Sequence, residues 1–490
     1  MKVRLGIDVA CRADHQASLA GADGEFLWSG WRFRTTPEDL EALWAKVPDG
    51  ADVQVILEPT RNAWVPLAAW LTARGAEVVM VAPEQSADLR DYYNKHTKTD
   101  RLDSRVLARL PLLHPEGLDP VGGPTPADPF RRAVRRRARL VKARTVAFSR
   151  LDALIELLGP AWAEVLGGGD YNKTTLMVLE RFADPRALKR FGLRRLSELL
   201  IKTSMGAWRR DKAEELLAAA EQTLTLWAGG GLDFGELAAD IAGEVRAVRS
   251  INAEIDLLEG RIAPLFAAAD RRPAAVSADG EILDDSDQAG IVASVPTLGG
   301  VLGAGILARF GDFDRFASLA GVRSFTGLVP KIDQSGTNTD GHGGPTKAGD
   351  PGLRQALYLA ANQLRKVDPQ FAQRYYRLVV DEGKHHNSAL CHLAGNLATR
   401  IAACWRRREP YLLRDTDGRP ITQAEGRAIV QQRFKIGDDV RRARRRSSKA
   451  KQLKQRTGRR GKESTGAAPA AGPSTNNATA REQLFERNLG

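Results

Sequence analysis

Cysteine is scarce in this 490-residue chain: three thiols, Cys11, Cys391 and Cys404, none spaced as CxxC. That excludes a disulfide framework and a cysteine-bound metal knuckle, and it suits a reducing compartment. Long apolar runs are also missing. No stretch of about 18 apolar residues occurs, so no segment is expected to span a membrane as a helix. The opening MKVRLGIDVA lacks the pattern of a secretory leader and reads as a strand, so a cytoplasmic location is expected. Acid is absent from two places. Residues 441–462 hold twelve Lys and Arg without an Asp or Glu, and RRAVRRRARLVKAR at 131–144 holds eight. Apart from the first run, the chain's net charge of +13 is almost cancelled. Acid-free clusters of this kind are footprints of polyanion binding, because neutralising phosphates releases condensed counterions. Arg135, Arg136 and Arg137 are the candidate contacts on the helical run.

What is present divides into blocks. In residues 1–115, VRLGIDVA, HQASLAG and FLWSGWRF read as three successive strands. TPEDLEALWAKV has a helical period behind a Thr cap, VQVILEP and EVVMVAP are buried strands, and AAWLTARG is a helix closed by Gly. This order predicts a mixed α/β sheet with helices on its faces. Residues 116–272 are helical in pattern. Ile241, Val245, Val248, Ile255, Leu258 and Ile262 recur at three- and four-residue steps with Asn252 among them, as in a long helix hairpin or a self-associating coiled coil. Residues 273–290 read as a linker, 291–415 as a mainly α domain, and 416–490 as a basic, low-complexity tail.

The stretch KTDRLDSRVLARL, residues 98–110, sets two carboxylates on its own apolar side. At about 100° per residue, Asp100 and Asp103 fall with Leu107 and Leu110, opposite Arg101, Arg105 and Arg109. A carboxylate facing a core must be paired, neutralised or bound to a metal. Asp8 in GIDVA and Glu58 in LEP are strand acids able to complete a four-oxygen nest of the kind hard divalent cations such as Mg²⁺ select. Each acid taken singly is as well read as a cap, a turn or a solvated helix residue.

A second constellation lies in GLVPKIDQSGTNTDGHGGPTKAGDPGLRQALYLAA, residues 327–361. Small residues around Ser335 let a backbone approach a substrate closely, and Lys347 and Arg354 are candidates to neutralise a phosphate. A serine needs activation to act as a nucleophile. No Ser-His-Asp triad is evident, although His342 is close in sequence, and composition alone favours a structural loop.

The pattern GIDVA, LEPT, KTDRLDSRVLARL resembles the ribonuclease-H-like, RuvC-type DEDD domain of transposases of the IS110 family of insertion sequences, with Asp8, Glu58, Asp100 and Asp103 at the matching positions. The QSG block resembles the C-terminal transposase domain of the same family. Just before it, ASVPTLGGVLGAGILARFGDFDRFASLAGVRSFTGL is similar to a helix-hairpin-helix element, whose Gly-rich turn offers N–H groups to phosphate. The resemblance implies a recombinase acting on donor and target DNA, guided by a bridge RNA, with Ser335 as nucleophile and Mg²⁺ as cofactor. It further implies a dimer that becomes a tetramer on DNA, the acidic domain of one protomer meeting the serine domain of another. The rival readings are a metal-dependent RuvC-like nuclease without a covalent intermediate, a non-catalytic nucleic-acid scaffold, and, last, an actin-like ATPase.

Overall fold

The structure is a computed structural model that describes residues 1–81, 100–113, 119–120, 123, 125–167, 169, 171–270, 290–332, 342–437 and 440. The linker at 273–289, Ser335 and the basic run at 441–462 therefore lie outside the described residues.

The N-terminal unit is built on β1 (Lys2–Asp8), β2 (His15–Gly21), β3 (Phe26–Phe33), β4 (Asp52–Leu57), β5 (Glu77–Met80) and a two-residue β6 (Asp119–Pro120). The sheet order is β3-β2-β1-β4-β5-β6. The first three strands form an antiparallel meander, and β4 and β5 run parallel to β1. Helix α1 (Pro37–Trp44) starts where Thr36 accepts the Asp39 N–H, which satisfies one of the donors that every helix start leaves open. With α2 (Trp64–Ala73) it covers one face, where Leu40, Leu43, Leu67 and Leu71 meet Val3, Leu5, Ile7, Val55 and Leu57. The other face carries α3 (Asp100–Leu113), whose Leu107 and Leu110 pack on Ile56 and Val79.

Two long helices follow, α4 (Pro129–Glu156) and, after α5 (Pro160–Leu166), α6 (Lys173–Phe182), α7 (Pro185–Phe191), α8 (Leu193–Thr203) and α9 (Arg210–Leu226), the 36-residue α10 (Phe234–Ala269). They run antiparallel. Arg137 pairs with Glu259, Arg144 donates to Asn252 Oδ1 at 2.9 Å, and Arg150 pairs with Glu244 at 2.9 Å. Of the two readings of the seam, a long helix hairpin or a self-associating coiled coil, the hairpin within one chain is the arrangement seen. Ile241, Val245 and Val248 join Leu151 and Ile155 in a core with α5–α9, while Leu258 and Ile262 meet Phe130 and Val134 in another. Asn252 finds Arg144 of the same chain rather than its own counterpart.

That second core is shared with the C-terminal unit: α11 (Val301–Phe310), α12 (Leu319–Phe325), a β-hairpin of β7 (Pro330–Ile332) and β8 (His342–Pro345), α13 (Pro351–Leu364), α14 (Pro369–Tyr376) and α15 (His386–Arg407). The ends of the two long helices pack here, so hydrophobic contact crosses the boundary that the polar stretch at 273–290 marks in the sequence. Two expectations change. Residues before Gly300 form hydrogen-bonded turns rather than a helix, so the helix-hairpin-helix likeness has a helix on its second arm alone. Packed chain also continues past 415. α16 (Gln423–Arg433) begins with a reciprocal Thr422–Glu425 capping box, and Ile429 and Ile436 are buried. Among the described residues, no helix is long and apolar enough to cross a membrane.

Candidate active site

β1 and β4 are adjacent and parallel with Ile7 opposite Leu57, so the next residues, Asp8 and Glu58, come to the same end of the sheet. Alternation fixes their face, since successive strand residues point to opposite sides. Gly6 lies under α3: a Cβ there would stand 2.2 Å from the Ser104 carbonyl oxygen and 2.3 Å from Ala108 N. Asp8, two residues on, belongs to the same side. Ile56 packs on Leu107 and Leu110, and Glu58, two residues on, likewise takes the α3 side.

Helix α3 crosses this face against the direction of β1. Ser104 meets Ser18, which is paired with Gly6, whereas Leu112 and Arg109 near the other end reach Gly24, beyond the start of β1. The N-terminal turn of α3, with Asp100 and Asp103, therefore lies at the end of the sheet where Asp8 and Glu58 emerge. The fit is close because the contact residues are small: Gly6, Ser104 and Ala108 leave no room for a larger side chain, and the Ser18 and Ser104 hydroxyls satisfy one another at 2.8 Å. Asp103 and Glu58 are half-buried and Asp100 is exposed.

The turn after β1 is held by His15. Its Nδ1 accepts the Ala10 N–H at 3.0 Å, which leaves Nε2 to donate to Thr35 Oγ1 at 2.8 Å. Burial, against the opposing Asp14 charge, lowers the His15 pKa and favours the neutral ring. The turn after β4 passes through Arg61 in the left-handed region at φ 48°, and Cys11 Sγ approaches the Thr60 carbonyl at 3.8 Å.

The donor chemistry suits a hard divalent cation: four carboxylates, no sulfur and no imidazole. Their convergence is one of sheet end and face. Among the described residues, no three His, Cys, Asp or Glu side chains stand close enough together to form a metal cage.

Ser335 belongs to the connection between β7 and β8, in the part of it outside the described residues. The base of that hairpin is firmly tied. Lys347, exposed and at φ 59°, donates its backbone N–H to Gly327 O at 3.0 Å. Gly327 has φ 65°, and a Cβ there would meet Ala348 O at 2.0 Å, so the position needs glycine. Arg354 turns inward and donates to Ala348 O at 2.6 Å and Gly349 O at 3.2 Å. The predicted cations of α4 have partners as well: Arg135 with Asp350 at 3.3 Å, Arg136 with Glu254 at 2.5 Å and Arg137 with Glu259 at 2.6 Å.

Sequence reasoning missed Arg131 and Arg309. Both stand with Arg135 around Asp350, and Arg309 Nε lies 3.4 Å from the Asp350 carboxylate. Burial first, and then the neighbouring Arg135 charge, lowers the Arg131 pKa, with Asp350 opposing. Burial does the same to Arg309. Arg131 opens a run that the sequence did show to be basic; Arg309 sits alone on an apolar helix and gave no signal.

Two family models match the chain. Residues 5–160 match a family model for the DEDD transposase of IS110, described as a transposase, and residues 289–376 match the transposase model of the IS116/IS110/IS902 family. The chain is 27% identical over 428 residues to the insertion element IS116 uncharacterized 44.8 kDa protein of Streptomyces clavuligerus, spanning 86% of this chain and 98% of that one. It is 26% identical over 403 residues to the insertion element IS110 uncharacterized 43.6 kDa protein of Streptomyces coelicolor, spanning 80% and 91%.

Proposed function

Since the chain is an insertion-sequence transposase of the IS110/IS116 family, we propose that it cuts and rejoins DNA through a transient phosphoserine link at Ser335. The observation that carries this reading is the delivery of Asp8, Glu58, Asp100 and Asp103 to one end and one face of a single sheet. The strand order and the antiparallel opening meander are consistent with a ribonuclease-H-like, RuvC-type fold.

In this reading Asp8, Glu58, Asp100 and Asp103 would hold Mg²⁺, which would supply positive charge for the phosphate. A bound cation stabilises the charge that develops on phosphate oxygens and lowers the pKa of an attacking hydroxyl. Ser335 Oγ attacks the phosphorus; the Oγ–P bond forms as the P–O bond to a sugar breaks, and the serine's proton ends on the departing sugar oxygen. Attack by a sugar hydroxyl of the other DNA reverses the exchange and restores both a diester and a free serine. One diester replaces another, so no external energy source is required. Lys347, at the foot of the hairpin, supplies positive charge toward the strand.

The family resemblance extends the proposal to a bridge RNA that selects donor and target DNA, and to a dimer that assembles to a tetramer with the acids of one protomer serving the serine of another. The test is denaturing electrophoresis of the protein on end-labelled donor DNA. Wild type is expected to leave protein covalently attached to DNA, and Ser335→Ala to leave none. DNA cut cleanly by Ser335→Ala would replace this mechanism with metal-dependent hydrolysis.

A further inference from the structure

A cleft of about 790 Å³ lies between the N-terminal sheet and the C-terminal unit, just past the end of β4. Arg61 and Asn62 line one wall, Arg131 and Arg135 another, and Arg309, Arg315 and Phe316 a third. A second hollow of about 390 Å³, also bordered by Asn62, Arg131 and Arg135, adjoins it and adds Arg136, Arg139 and Arg261.

The charge here is not balanced from within. Arg131, Arg135 and Arg309 gather about Asp350, whose carboxylate is also engaged as the N-cap of α13 by the Gly352 and Leu353 N–H groups. Asp128, on the same side, caps α4. Arginine stays charged in proteins, so three cations share Asp350, with Asp128 acting on Arg131 as well. The Nε of Arg131 is buried with no hydrogen-bond partner among the described residues, and that of Arg309 has the Asp350 carboxylate at 3.4 Å. Buried donors of this kind are expensive unless something accepts from them. Burial first, and then the neighbouring Arg135 charge, weakens the hold of Arg131 and Arg309 on their protons, with Asp350 opposing.

We propose that this cleft binds one or two unpaired nucleotides of a DNA strand, with a backbone phosphate accepting from Arg131, Arg135 and Arg309 and a base lying on the Arg315 guanidinium, which itself stacks 4.1 Å over the Phe316 ring. The inference rests on the reading of the chain as a DNA-joining enzyme and deepens it by naming the state of the substrate. Three observations select a single strand. A hollow of this volume is of the order that encloses a small ligand, roughly 300–1,000 Å³, and it has no room for a duplex turn. The Arg315 guanidinium, spread over Phe316 at 4.1 Å, gives the cleft a planar cationic surface beside the phosphate-reading arginines, and arginine and aromatic planes take unstacked bases in a sequence-tolerant way. Finally, the cleft begins at Pro59, the residue after Glu58, so a strand held there lies beside the end of the sheet that carries the acids.

The test is fluorescence anisotropy with the full chain carrying Ser335→Ala, in EDTA, so that neither cleavage nor metal enters. The probes are a labelled dT oligonucleotide, an rU oligonucleotide and a DNA duplex of equal length. Arg131→Gln is expected to weaken dT binding roughly tenfold and to reduce the salt slope by about 0.7, as for one lost phosphate contact. Duplex binding is expected to change less than about twofold, and Arg131→Lys to restore most of the loss. Equal losses on strand and duplex, no loss on either, or a loss confined to rU would overturn the proposal. Should Arg131→Gln fail to fold, exposed Arg61→Gln on the opposite wall reads the same outcomes. Photocrosslinking of an iodouracil strand to the unsubstituted protein should mark Phe316 or its neighbours, and crosslinks solely elsewhere would refute the assignment. A chain that binds no nucleic acid at all would instead count against the transposase chemistry itself.

Discussion

The hydroxyls of Ser18 and Ser104 meet at 2.8 Å directly above Gly6, and this contact sets the height at which α3 crosses the sheet. It places the helix start, with its two aspartates, over the ends of β1 and β4. The substitution Gly6→Ala puts a methyl about 2.2 Å from the Ser104 carbonyl oxygen, which backbone on both sides cannot relieve. We expect a loss of about 2–3 kcal/mol in stability, the range of overpacked cores, and a larger fall in joining activity than in DNA affinity. Thermal melting and binding isotherms of the same variant check both.

The arginines of α4 serve two ends. Arg137, turned toward α10, is expected to stabilise the helix pair rather than hold nucleic acid. Arg137→Ala should cost roughly 0.5–1 kcal/mol, as for a partly exposed ion pair, with DNA affinity nearly unchanged. The exchange Arg137→Glu with Glu259→Arg should recover part of that loss. A denaturant titration of the four proteins measures the coupling.

Protonation of His15 opposes the turn after β1. Its folded-state pKa lies below the ordinary 6.5 because burial disfavours the charged ring. The unfolded chain therefore takes up the proton first as the pH falls. Stability from this site is complete above about 6.5 and declines as the pH drops from there toward the lower folded-state value. Melting temperatures between pH 7.5 and 5 are expected to fall more steeply in wild type than in His15→Gln, in which the titrating ring is gone.

Much of the N-terminal unit was legible because its signals are local. The β-branched strand VQVIL, the Thr36 cap and the Asp103–Leu107–Leu110 stripe are set by period and cap chemistry, and the structure follows them. What escaped was tertiary. Nothing in the spacing of Asn252 distinguishes a partner in a second copy from Arg144 of the same chain, 108 residues earlier. The run after 415 looked like the beginning of the tail because α16 carries many polar residues and buries few apolar ones; Gly426 packs so close to Val367 O that a Cβ would stand at 2.2 Å, a contact that composition hides. For the candidate site, the sequence showed which acids to join but not the end and face they share. The Arg131–Arg309 grouping arises from elements that meet only when folded.

Manganese titration of the protein followed by electron paramagnetic resonance tests the acidic site most directly. Bound to cognate DNA, wild type is expected to remove Mn²⁺ from the free-ion signal with saturable stoichiometry. Asp8→Asn, Glu58→Gln and Asp103→Asn should each weaken that uptake at least tenfold, with the DNA complex intact. Unchanged uptake in all three variants would contradict a metal centre at this end of the sheet.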